Sequence, residues 1–150
     1  VKYLIVPLVD NGSLKTTRQI TNIHKICKSI EKLLVINKQK ILFEIDFHPN
    51  KVKNFISNFN KRSFGINYDL GNSASLDYDI SEEFKSYSKY IFNIHIKDRK
   101  VFGTTVPLGT GNANFKKFFK ELKKINYKGN LILQTARSSS NNHSKDLKKI

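Results

Sequence analysis

The sequence predicts an α/β fold built on a parallel sheet, and three observations carry that prediction. Short segments of alternating apolar and polar residues recur along the chain, stretches of helical periodicity separate them, and each strand-like segment keeps its polar residues on one face. In Ile41-Leu42-Phe43-Glu44-Ile45-Asp46-Phe47 the alternation sets Glu44 and Asp46 on one side, and Phe43, Ile45 and Phe47 on the other. Gly65-Ile66-Asn67-Tyr68-Asp69 does the same with Asn67 and Asp69, and Phe92-Asn93-Ile94-His95-Ile96-Lys97 with Asn93, His95 and Lys97. Leu131-Ile132-Leu133-Gln134 repeats the pattern more weakly. Where strands alternate with helices the apolar face lies under the helices, so the polar face points into a shared interior. Carboxylates and an imidazole meeting there suggest a metal or acid/base site.

In chain order, residues 2–8 read as a strand, and Asp10-Asn11-Gly12-Ser13 as a turn ending in a helix cap. From Leu14 to about Ile36, the positions Ile20, Ile23, Ile26/Cys27, Ile30 and Leu33/Leu34 keep a helical period. The Glu44 strand follows, then a short helix near 51–59 and the strand ending at Asp69. Asp79, with Glu82 three residues on, has the form of a capping box opening a helix that runs to about Tyr90. After the His95 strand a long loop, 98–112, leads to a helix with the stripe Phe115, Phe118, Phe119 and Leu122. Tyr127-Lys128-Gly129 closes that helix before the last strand. Residues 137–144 are polar, and 145–150 read as the start of one more helix.

Strands alternating with helices at these loop lengths give a parallel sheet with right-handed crossovers. Polar residues late in the strands, on the face turned from the helices, match the mouth of a (β/α)8 barrel better than a doubly wound sheet. Five strands cannot close such a barrel, and the chain starts with Val. The expectation is therefore that residues 1–150 are the C-terminal portion of a single barrel domain, about strands 4–8, lacking about three βα units.

Bulk properties narrow the class. A chain of 150 residues with 39% hydrophobic content is long enough for one domain with a core. It holds no apolar run of membrane-spanning length and no charged-then-apolar leader, so no membrane partner is expected and a cytoplasmic location fits. Cys27 is alone and falls on the apolar stripe of the first helix, the place of a buried, inert thiol. The net charge of +15 raises a nucleic-acid partner. Of the basic residues, however, 23 are Lys and 4 are Arg, whereas phosphate and base recognition favours the Arg fork. Lys116, Lys117, Lys120, Lys123 and Lys124 also surround the Phe115 stripe as a solvated helix face would, which argues against nucleic acid. His24 and His143 are expected on the surface and His48 at the rim.

The segments Phe43-Glu44-Ile45-Asp46, Asn67-Tyr68-Asp69-Leu70-Gly71-Asn72, His95-Ile96-Lys97-Asp98, Val106-Pro107-Leu108-Gly109-Thr110-Gly111 and Tyr127-Lys128-Gly129 resemble, in that order, the second half of the xylose-isomerase-like TIM-barrel family. The likeness is strongest to its sugar-phosphate isomerases and epimerases and runs from about Leu4 to Arg137. The resemblance implies a divalent metal, Mn²⁺, Mg²⁺, Co²⁺ or Zn²⁺, at the barrel mouth, held by Glu44, Asp69 and His95. The fourth place, a second glutamate in the family, falls on Gln134. A glutamine oxygen still coordinates a hard cation, but its amide cannot shuttle a proton, which leaves Glu44 as the base. The implied reaction is isomerisation or epimerisation of a ketose phosphate or related sugar through an enediolate, with the ion neutralising its charge.

Supporting places follow the same likeness. Asn72, three residues after Asp69, stands where relatives place a polar group on substrate hydroxyls, although Gly71-Asn72 also suits an ordinary turn. Lys97 faces inward by parity and could hold an anionic substrate or pair with Asp46. Arg99 and Arg137 lie in the loops after the last two strands, where such barrels bind phosphate. Gly109 to Asn112 precede a helix and could add backbone donors, or form a plain loop-to-helix turn. Two alternatives stand beside the enzyme: a barrel that binds metal and sugar without turnover, and an apurinic-endonuclease-like metal nuclease. The latter needs more histidines than His95 and His48. The partner is then a small sugar or sugar phosphate, with a homo-oligomer left open.

Overall fold

A computed structural model of the chain describes residues 1–137, 142, 144, 145 and 148. His143 lies outside the described residues, as does most of the helix expected over 145–150. Alternation produces the strands β1 (Tyr3–Leu8), β2 (Lys40–Ile45), β3 (Phe64–Asp69) and β4 (Ile91–Ile96), then the short β5 (Asp98–Arg99) and β6 (Thr105–Val106), and finally β7 (Asn130–Leu133). Five of them form one sheet in the order β1-β2-β3-β4-β7, every neighbouring pair parallel. The sheet is the incomplete barrel that the strand count predicts. β5 and β6 form a small antiparallel hairpin inside the stretch expected to be plain loop.

The crossovers are α1 (Thr17–Ile36), α2 (Pro49–Ile56), α3 (Leu70–Ser75), α4 (Ile80–Tyr87) and α5 (Phe115–Lys124). α1 begins three residues after Leu14 because Thr16 and Gln19 make a reciprocal capping box there. Pro49 opens α2 earlier than expected, since its missing N–H costs nothing in the first turn. Asp79 accepts from the Glu82 N–H at 3.0 Å and caps α4, whose last turn tightens to a 3₁₀ segment at 88–90. α3 is a helix at the place where Gly71-Asn72 suits an ordinary turn; Asp69 caps it by accepting from the Asn72 N–H.

The outer face of the sheet carries the core. Phe43 packs against Phe55 and Phe59, with ring centroids 5.3 and 5.2 Å apart, and Tyr68 against Phe84 and Phe118 at 5.2 and 6.0 Å. Cys27 is buried, and loss of solvent pushes its thiol up to about 11, so it is inert at neutral pH. His24 is partly rather than fully exposed. Its ring packs against Phe55 and Phe59 on α2's side of α1, with Nε2 buried and unpaired among the described residues. At the sheet edges β1 and β7 each have one neighbour, and Leu131, Ile132 and Leu133 stay about half exposed. No helix among the described residues is long and apolar enough to cross a membrane.

Candidate metal centre

The inner face carries a polar cluster at the C-terminal ends of three adjacent strands. Glu44 is the next-to-last residue of β2, Asp69 the last of β3 and His95 the next-to-last of β4. A register shift between Ile66 and Asn67 sets Asn67 opposite Asn93 and Asp69 opposite His95, so all four share one face. His95 Nδ1 then lies 3.3 Å from Glu44 Oε2 and 3.7 Å from Asp69 Oδ2, with all three donor atoms within 4.8 Å of one another. Two ligands about 2.1 Å from one ion and about a right angle apart are separated by about 3 Å, so this spacing suits a shared ion.

Asp69 supplies the test of fit. Its Oδ1 accepts from the Asn72 N–H at 2.8 Å, while Oδ2 is buried with no hydrogen-bond donor among the described residues. Lys97 Nζ sits 2.8 Å from Oδ2 and compensates its charge. A carboxylate oxygen has two lone pairs, so Oδ2 can meet a cation besides the Lys97 ammonium. Two carboxylates and an imidazole suit a hard or borderline divalent cation.

The same proximity sets the electrostatics. Burial opposes ionisation of Asp69, but the His95 contact, the Lys97 charge and the Asn72 amide outweigh it and hold its carboxyl below the usual value. Asp69 and then Glu44, facing Nδ1, push the His95 imidazole up to about 9 against the opposing effect of burial. To ligate a cation the ring must give up that proton, so ion binding and deprotonation are coupled.

The other inward groups are placed as follows. Lys97 pairs with Asp69 and not with Asp46, which accepts instead from Ser13 Oγ at 2.9 Å. Its stem crosses Gly71, where a Cβ would stand 2.9 Å from Lys97 Cγ; the glycine makes room for it. Gln134 follows β7 and donates its backbone N–H to Ile96 O at 2.9 Å. Extending that register sets it beside Lys97 on the inner face, but at an exposed strand end. Arg137 is exposed beyond it. Asn72 Nδ2 donates to Glu44 Oε1 at 2.7 Å, and Arg99 binds Asn72 Oδ1 and the Gly103 carbonyl. His48 is exposed, stacked edge-on to Tyr78 at 5.7 Å.

Three features escaped the sequence reading. The N–H groups of Gly109, Gly111 and Ala113 all donate to Asp98, a buried carboxylate, at 3.0, 2.8 and 3.0 Å, so the glycine loop is the plain loop-to-helix turn. Behind Asp69, the buried Glu83 accepts from Tyr68, Ser73 and Tyr87 at 2.8, 2.5 and 2.8 Å. Its signal was present, since Ile80, Glu83, Phe84 and Tyr87 form one helical stripe. Asn67 and Asn93 were visible by parity, but their hydrogen bonds were not.

Residues 12–149 match the family model described as Xylose isomerase-like TIM barrel. The chain belongs to that family. In this xylose isomerase-like barrel the strand ends carrying Glu44, Asp69 and His95 form the barrel mouth. The chain is similar to the L-ribulose-5-phosphate 3-epimerase UlaE of Salmonella paratyphi A, 28% identical over 102 residues, which cover 67% of this chain and 36% of that protein. UlaE of Escherichia coli O1:K1 / APEC is 31% identical over 87 residues, covering 57% and 30%. Among solved structures, a xylose isomerase domain protein from Planctomyces limnophilus shares the fold with a TM-score of 0.79 at 19% identity, over 98% of this chain and 54% of that one. The IOLI protein with a binding zinc atom matches with a TM-score of 0.78 at 18% identity, over 99% and 60%. The chain thus spans about a third of the curated relatives it matches, and little more than half of the solved ones.

Proposed function

We propose that this chain supplies the metal-holding part of a sugar isomerase or epimerase acting on a ketose or ketose phosphate, as the C-terminal portion of a single barrel. The convergence of Glu44 Oε2, Asp69 Oδ2 and His95 Nδ1 within 4.8 Å carries the reading. The similarity to L-ribulose-5-phosphate 3-epimerases supports the substrate class, and the unpaired edges β1 and β7 support the partial barrel. Glu44, Asp69 and His95 would hold the ion, with the Gln134 side-chain oxygen a neutral fourth ligand. When bound, a divalent ion neutralises the charge that develops on a ketose's oxygens as the neighbouring carbon loses its proton. Glu44 accepts that proton, since the Gln134 amide cannot. Asp69 and the adjacent Lys97 ammonium keep balanced charge at the strand end, and Arg137 would meet an anionic end of the substrate.

Replacing His95 with Ala in the full-length protein tests this reading. Co²⁺ binding should fall at least tenfold, and exchange of a ketose phosphate's carbon-bound hydrogen with D₂O should cease. Unchanged exchange sinks the assignment. Gln134 favours a second reading, a barrel that binds metal and sugar without turnover. Sugar binding with no hydrogen exchange in the wild-type protein selects it.

A further inference from the structure

Glu44 is gripped on both oxygens by side-chain amides: Asn72 Nδ2 donates to Oε1 at 2.7 Å and Asn67 Nδ2 to Oε2 at 2.8 Å. Each amide is held from behind. Arg99 Nη1 donates to Asn72 Oδ1 at 2.9 Å, and Asn93 Nδ2 donates to Asn67 Oδ1 at 2.6 Å. The Arg99 arm allows one arrangement only. A guanidinium has donors and no acceptor, a carboxylate acceptors and no donor, so an amide between them must turn its oxygen to Arg99 and its NH₂ to Glu44. Reversed, Asn72 would exchange two charge-assisted bonds for two repulsive contacts.

Arg99 is in turn fixed to the hairpin. Its Nε and Nη2 both donate to the Gly103 carbonyl, at 3.1 and 2.9 Å, between β5 and β6. With Nη1 on Asn72, each of the three guanidinium nitrogens donates to the chain itself. Asn72 also reaches the second carboxylate, because its backbone N–H holds Asp69 Oδ1 at 2.8 Å. One residue therefore bonds an oxygen of each carboxylate, Glu44 Oε1 and Asp69 Oδ1, and Arg99 decides which way its amide faces.

We propose that Arg99 is a positioning residue, which through Asn72 fixes the plane of the Glu44 carboxylate and pre-sets the cation-binding cluster, and that it does not meet the substrate. The proposal rests on the reading of Glu44 as a metal ligand, and its purpose is the one outer partners of metal sites serve: holding a ligand in its binding geometry before the ion arrives.

The test uses the full chain, with Co²⁺ as the probe followed by its visible absorption, and side-chain amide NMR of the metal-free protein. Arg99→Met should raise the Co²⁺ Kd about tenfold. Asn72→Ala should do at least as much, and the double variant no more than Asn72→Ala alone, because Arg99 acts through Asn72. In the metal-free protein, Arg99→Met should move the Asn72 NH₂ signals toward those of a solvent-exposed amide and speed their exchange with water. Multiplying penalties in the double variant, or an unchanged Asn72 amide, overturns the proposal. Should wild-type protein bind no Co²⁺, the metal reading falls, while the amide spectra still decide whether Arg99 orients Asn72. If Arg99→Met does not fold, Arg99→Lys serves, since lysine cannot span both acceptors. Wild-type Co²⁺ affinity in that variant counts against the proposal.

Discussion

Replacing Asp98 with alanine should destabilise the protein by about 3–4 kcal/mol, and the figure follows from what the carboxylate holds. Its Oδ2 accepts from the N–H groups of Gly109 and Gly111, and its Oδ1 from that of Ala113, with the side chain almost wholly buried. A hydrogen bond to a charged group contributes a net of about 1.5 kcal/mol or more, so three give about 4.5 kcal/mol. Gly109 is exposed and rehydrates when released, which trims the loss. Against the 5–15 kcal/mol typical of a domain, about 3–4 kcal/mol is a large share. Urea unfolding followed by circular dichroism reads the change directly, and hydrogen exchange should quicken at those three amides. Asp98→Asn keeps the shape, can turn its oxygen toward Gly109 and Gly111, and loses the bond to Ala113; about 2 kcal/mol is expected. A Gly111→Ala change should act on the same contact, since a Cβ there would stand 2.1 Å from Asp98 Oδ1. If Asp98→Ala costs under about 1 kcal/mol, or if Asn is no better than Ala, the loop is held by something other than this carboxylate.

Two side chains with a buried, unpartnered atom give further predictions. Ser63 Oγ is fully buried with no hydrogen-bond partner among the described residues, so Ser63→Ala should leave stability unchanged or raise it by up to about 1 kcal/mol; a loss above about 1 kcal/mol in urea unfolding would show an unseen partner. His24 has its pKa lowered by burial, so its contribution to stability is present above the ordinary value of 6.5 and is lost as pH falls through the lower folded value. His24→Leu should therefore flatten the acid limb of the stability–pH curve, and an acid limb identical to wild type would assign that sensitivity to other groups.

Parity made the strands and the central trio legible. Glu44, Asp69 and His95 alternate with residues of the Phe43, Tyr68 and Ile94 kind, and a parallel sheet can only turn such residues to one side. Elements built on long-range partners were not legible. α3 contains Gly, Asn and two Ser in six residues and has little helical propensity of its own. It forms because Asp69 caps it and the β4 end packs over Gly71. The hairpin of β5 and β6 was invisible for the same reason, being pinned by Asp98, Arg99 and Asn112 from outside any periodic stretch. Arg99 follows a strand, which the sequence shows, but its hydrogen bonds to Gly103 and Asn72 depend on loop geometry and not on residue type.

If Gln134 takes the fourth place as proposed, it changes both the charge and the proton traffic of the site. Two carboxylates and a divalent ion cancel in charge, and Lys97 beside Asp69 leaves the cluster one unit positive, where a second glutamate would have made it neutral. An added positive charge favours a substrate that becomes an anion as it loses its proton. It also leaves the proton traffic to one carboxylate. Moving a carbonyl to the neighbouring carbon needs a proton taken and returned on a single face of the planar intermediate, which one base can do. Inverting a centre needs removal on one face and delivery on the other, which one fixed carboxylate cannot do. Glu44 is fixed, since Asn67 and Asn72 hold both its oxygens. On the proposed reading the Glu44, Asp69 and His95 cluster offers one fixed proton acceptor, and inversion of a centre would take its second proton donor from outside that cluster.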